Sequence, residues 1–153
     1  MTTPTLPAAV QCPDYLGTLG DVLGFIVSVE TLIETPYDTR SGDAVSDWIA
    51  DLTILLASSP KAISSARYYR DETLKHVIEE MMKKAAQNDE DAIRAFKTPS
   101  VIKDLASARC AELNALMVYC ERLNAAITHS IDGLRSILSN LKEERRAMGF
   151  ANS

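Results

Sequence analysis

From Ile102 to Met148, steps of four and three residues land on Ile102, Ala106, Arg109, Leu113, Leu116, Cys120, Leu123, Ile127, Ser130, Leu134, Ile137, Leu141, Glu144 and Met148, and eleven of these fourteen are apolar. No proline interrupts the run, so the spacing predicts one helix over 98–148, in which the stretch from Ile102 to Met148 alone is about 70 Å long at a rise of ~1.5 Å per residue. A seam of that length outruns the core of a domain this size. It calls for a second long helix against Leu113, Leu116, Leu123, Ile127, Ser130, Leu134, Ile137 and Leu141, from this chain or from another copy. Arg109, Ser130 and Glu144 are the polar members of the seam. Polar groups at such positions lower stability and can fix register and partner number when they meet across the interface. Ser130 is expected to mark a layer where His129 or Thr128 of a neighbouring helix approaches.

The rest of the chain reads as helix too. Residues 1–12 form a proline-bearing tail. Pro13 then suits a first helical position, with Asp14 favouring the positive end of the helix dipole, and a helix is predicted over 13–34. Its apolar stripe is Leu16, Leu19, Val22, Leu23, Ile26 and Ile33, while Gly17, Gly20, Gly24 and Ser28 recur on an adjoining face and suggest a close backbone crossing. Thr35-Pro36 ends it. Ser41 or Asp43 can cap a second helix over 43–58, in which Val45, Trp48, Ile49, Leu52, Leu55 and Leu56 face a core. Ser59 and Pro60 look like a cap and first position of a third helix over 60–86. After an acidic break and a short turn near 92–97, Thr98-Pro99 opens the long helix, with Gly149 as its terminator and 149–153 as a tail. The fold class is all-α, a helical bundle of three medium helices in 13–97 and one long coiled-coil-like C-terminal helix in the same domain.

Composition narrows the function classes. The first sixty residues hold eight acidic residues against one basic, Arg40, and the remainder thirteen against fifteen, a front of −7 and a back of +2. These halves could attract each other within the fold or between subunits, or the back could face a polyanion. The stretch from Tyr15 to Ile33 comes nearest to a membrane span, but Asp21 and Glu30 interrupt it, and no membrane partner is expected. Neither a basic start nor an apolar run marks residues 1–10 as a secretory signal, so a cytoplasmic location is the expectation. Three cysteines and two histidines without metal-ligand spacing give no basis for a disulfide framework, a zinc site or another cofactor. There is no nucleophile elbow, phosphate loop or Glu-x-x-His pairing, so an enzyme is not expected.

Two constellations carry candidate chemistry. Arg67-Tyr68-Tyr69-Arg70, followed by Lys75 and His76, interleaves cations with aromatic rings, which suits single-stranded nucleic acid: cations neutralise phosphates and bases stack on rings. Helical spacing equally allows one tyrosine to enter the core and the arginines to pair with Asp71 and Glu72. Thr128, Asp132, Arg135, Ser139, Lys142 and Arg146 form a polar stripe beside the seam, which the acidic N-terminal sixty residues could complement.

The stretch LNALMVYCERLNAAITHSIDGLRSILSNLKEERR, Leu113 to Arg146, together with ARYYR at 66–70, resembles small all-helical bacteriophage and prophage proteins of the recombination-mediator type over the last 90 residues or so. That resemblance implies an oligomeric accessory that holds single-stranded DNA, with Arg67, Tyr69, Arg70 and Lys75 on the backbone. The acidic first sixty residues depart from the pattern, and a pI near 5.0 weighs against DNA. The expected function is therefore a non-enzymatic helical assembly or adaptor protein acting through its long C-terminal helix, as homo-oligomer or with a helical protein partner. The alternative is a single-stranded-DNA-binding recombination accessory.

Overall fold

The computed structural model describes residues 13–151, and all regular structure within them is helical. The order is α1 (Leu19–Glu34), α2 (Gly42–Ala86), α3 (Glu90–Phe96), α4 (Pro99–Arg109) and α5 (Ala111–Ala151). The tail assigned to residues 1–12, with Cys12, lies outside the described residues.

Helix α1 begins at Leu19, later than Pro13 suggested. The Thr18 hydroxyl accepts the Asp21 N–H at 3.1 Å, and the Asp21 carboxylate accepts the Thr18 N–H at 2.7 Å and its hydroxyl at 2.8 Å. This reciprocal capping box satisfies orphan N–H groups. Upstream, the Gly17 N–H donates to Ser65 Oγ at 3.0 Å and the Tyr69 hydroxyl donates to the Gly17 carbonyl at 3.4 Å, which holds the preceding chain in a non-helical course. A Cβ on Gly17 would lie 3.2 Å from that of Asp21 and 3.5 Å from Ser65 Oγ, the close approach expected of a glycine. Gly24, by contrast, has nothing within 4 Å of such an atom. Gly17 lies ahead of α1 and meets side-chain atoms, so the close backbone crossing expected of this face is found at neither glycine.

The Thr18 hydrogen bonds, backbone first and hydroxyl second, hold the Asp21 carboxyl below its ordinary value, with a smaller contribution from Lys61. A carboxylate depressed in the folded state contributes stability that is complete above its unfolded value of about 3.9 and lost as pH falls through the lower folded value. An Asp21→Asn chain is therefore expected to be less stable than the parent near neutrality, with the gap closing as pH falls into the acid range. Urea midpoints measured across that range check this; a gap independent of pH would contradict it.

The helices predicted over 43–58 and 60–86 are one helix, α2, with Pro60 inside it. Proline cannot donate to the carbonyl four residues back, here that of Leu56. The Ser59 hydroxyl donates to that carbonyl instead, at 2.9 Å, and the Ser58 hydroxyl lies 3.0 Å from the carbonyl of Leu55. Ser59 thus bonds backward to mend a helix rather than forward to cap one. Ser41 caps α2: its hydroxyl accepts the Ala44 N–H at 3.3 Å.

Asn88 ends α2 in the left-handed region, at φ 63°. The Asp89 N–H bonds to the Lys84 carbonyl and the Asn88 N–H to that of Ala85, each at 3.1 Å, a Schellman arrangement that asparagine tolerates well. Asp89 then caps α3 by accepting the Ala92 N–H at 3.0 Å.

The helix predicted over 98–148 is two helices that meet at Cys110, whose φ of −100° and ψ of 10° lie outside the α-helical region. No proline or glycine marks the break. Ahead of the break, Ala106 of α4 lies in a buried cluster with Ala95 of α3 and Val77 and Met81 of α2. At the other end α5 continues through Gly149, so that glycine is an interior residue, not a terminator.

The chain divides into two compact units. Of the described residues, those up to Val22 with Lys61–Cys120 form the first, whose core includes the Val77, Met81, Ala95 and Ala106 cluster, flanked by Leu74, Ile78, Phe96 and Ile102. Leu23–Pro60 and the residues from Glu121 onward form the second. Its buried side chains include Ile26 and Val29 of α1, Val45 and Leu52 of α2, and Leu123, Ile127, Ile131 and Leu134 of α5. Within this unit Ser59 Oγ lies 2.6 Å from the Asn124 side-chain amide, and Gly42 faces Leu138 and Arg145, so α2 and α5 run antiparallel.

Candidate functional site

The basic and aromatic constellation on α2 is spread by the helix over buried and exposed positions. Tyr69 is only 3% exposed. Its ring meets Tyr68 edge to face at 5.9 Å, and its hydroxyl points to Gly17, so it offers no open face for a base to stack on. Arg70 is half-buried and donates through Nε and Nη2 to Asp71 Oδ1, at 2.8 and 2.6 Å. Lys75 lies 3.8 Å from Glu72, and Arg67 is exposed. Local carboxylates thus sit against Arg70 and Lys75, and the stacking surface expected of Tyr69 is spent inside the fold.

Arg70, Asp71 and Leu74 also line a cavity of about 200 Å³ with Ser107, Cys110 and Asn114. Burial pushes the Cys110 thiol up, against a smaller opposing pull from Arg70. That favours the thiol over the nucleophilic thiolate. Cys110 and Cys120 are both buried and in no disulfide. Among the described residues no group of three or more His, Cys, Asp or Glu side chains could hold a metal ion, and no helix is long and apolar enough to cross a membrane.

The seam on α5 has a graded fate. Leu113, Leu116, Leu123, Ile127 and Leu134 are buried by the chain's own helices, Ser130, Ile137 and Leu141 are half-buried, and Glu144 is exposed. Arg109, exposed, lies 3.6 Å from Glu80. The seam therefore finds most of its cover within a single chain. Beyond Leu134 the cover thins. Since Gly42, the first residue of α2, lies opposite Leu138 and Arg145, the last turns of α5 extend past that helix's start. There Met148 is 61% exposed, and Lys142, Arg145 and Arg146 are exposed without an ion partner among the described residues. Of the polar stripe, Arg135 pairs with Asp132 at 3.7 Å and the Thr128 hydroxyl donates to the Asn124 carbonyl at 3.0 Å, while His129 is exposed.

A second surface of the same unit escaped the sequence pattern. Val27, Ser28, Thr31, Leu32 and Thr35 of α1 and Asp51, Ile54 and Leu55 of α2 line an open groove of about 460 Å³. Val27 and Ile54 are 55% and 68% exposed. Both fall off the three-four stripes that bury α1 and α2. An apolar β-branched residue on the polar face of each of two successive helices was the available signal.

No protein-family model, curated protein or solved structure matches the chain.

Proposed function

We propose that this chain is a non-enzymatic helical assembly protein that works through the terminal turns of α5. The observation that carries the reading is the overrun of the seam. Leu141, Arg145 and Met148 share one helical face by their spacing, and that face continues the stripe on which Ile127 and Leu134 are buried. Its end is apolar, flanked by cations, and left largely uncovered by the chain. An exposed amphipathic helix end of this kind is suited to docking in an apolar groove of a helical protein.

Light scattering after size exclusion, over a range of protein concentrations, tests the reading. The parent chain is expected to associate, and Met148→Glu to remove association while leaving the thermal melt unchanged, since the replaced side chain stands mostly in solvent. A chain that stays monomeric at every concentration overturns the reading, as does a Met148→Glu variant that associates like the parent.

A further inference from the structure

We infer that the groove between α1 and α2 is the receptor for the terminal turns of α5 from a second copy, so that copies join head to tail. This rests on the proposed assembly role and adds the surface that receives the helix.

Chemistry of the groove selects the occupant. The hydroxyls of Ser28, Thr31 and Thr35 donate to the carbonyls of Gly24, Val27 and Thr31, at 2.9, 2.7 and 2.7 Å. With those hydrogens spent inside α1, the wall offers mainly methyl and methylene surface, joined by Val27, Ile54 and Leu55. The one ionised group in the lining is Asp51. It continues a line of exposed carboxylates, Asp43, Asp47 and Asp51, spaced four residues apart along α2, none with an ion partner among the described residues. Like charges at that spacing repel one another, so the line favours a cationic visitor. A fitting guest therefore carries an apolar side chain for the groove and cations for its acidic margin.

The end of α5 has that composition: Met148 exposed, with Lys142, Arg145 and Arg146 beside it and free of ion partners. Groove and helix end are different patches of one surface, so the contact is heterologous. Such contacts propagate into chains or close into rings, whereas a self-complementary patch stops at a dimer. Opposite charge along the two patches sets the orientation of the encounter and makes it salt-sensitive.

Two variants and their mixture test the inference by light scattering. Ile54→Glu with Asp51→Lys disables the groove, and Met148→Glu disables the helix end; all three positions are exposed, and circular dichroism melts confirm that both variants fold. Each variant alone is expected to be monomeric. Mixed in equal amounts, they are expected to give a dimer and nothing larger, because one intact groove and one intact helix end remain. A labelled peptide spanning residues 134–151 is expected to bind the parent chain and to lose binding to the groove variant, with affinity falling as salt rises. If Met148→Glu abolishes association and the groove variant associates like the parent, the assembly role stands and the groove is the wrong receptor. If the parent chain does not associate at all, both fall. A mixture that stays monomeric overturns the head-to-tail arrangement.

Discussion

Replacing Ile127 by alanine is expected to lower the unfolding free energy by about 2–5 kcal/mol, the cost of losing a large aliphatic side chain where the surroundings cannot close the gap. Ile127 is fully buried, and Ile26, Val29, Val45 and Leu52 are fully buried in the same unit. These side chains come from three helices, of which α2 and α5 are held together by the Ser59–Asn124 side-chain contact and by the packing of Gly42 on Leu138, which limits collapse into the cavity. Met148→Ala, on the same helical stripe but at an exposed position, is expected to change stability by less than about 0.5 kcal/mol. Urea titrations of both variants, followed by far-UV circular dichroism, check the contrast. Equal effects at the two positions would mean that the stripe is not covered as described.

Tyr69→Ala is expected to cost about 3–5 kcal/mol, the range for removing a buried aromatic ring. Tyr69→Phe keeps the ring, gives up the long hydrogen bond to Gly17, and is expected to stay folded with a melting temperature close to the parent's. The pair of variants separates a structural tyrosine from a base-stacking one. A stacking residue would be exposed, and its loss would leave stability almost untouched while weakening nucleic-acid binding. The measurement is thermal unfolding of both variants, set beside a binding titration with single-stranded DNA at low salt. A Tyr69→Ala chain as stable as the parent would contradict the buried position.

The starts of α2 and α4 were legible because they depend on chemistry within one turn. Ser41 caps α2, and the Thr98-Pro99 pair opens α4. The start of α1 was not, since Gly17 is held out of the helix by Ser65 and Tyr69, some fifty residues away in sequence. Ser59-Pro60 misled for a related reason. A serine before proline is a sound local signal for a helix start, and the same hydroxyl can instead satisfy the carbonyl that proline leaves without its donor. Which of the two occurs depends on whether continuing the helix buries more apolar surface. Here it does: Leu52 before the proline and Ala66 and Val77 after it are all buried.

The candidate site divided in the same manner. Spacing showed that α5 carried a long apolar seam, since a stripe at three- and four-residue steps is a property of one helix alone. Where that seam is covered depends on the length and direction of α2, which no local pattern states. The groove beside Ile54 and Val27 was hidden for a complementary reason. Each residue looked like an isolated apolar side chain on a polar face, common on any surface, until the fold placed them along one groove.

By itself, then, the amino-acid sequence determined that this chain is helical, where α2 and α4 begin, and that α5 carries a long apolar stripe, because these follow from hydrogen-bonding capacity within a turn and from periodicity along one axis. Tertiary structure alone decided that α2 runs through Pro60, that the C-terminal run breaks at Cys110, and that Tyr69 is buried while Met148 is not. Those outcomes depend on competition between distant segments for the same apolar surface, and a free energy summed over contacts far apart in the chain leaves no mark at any single position.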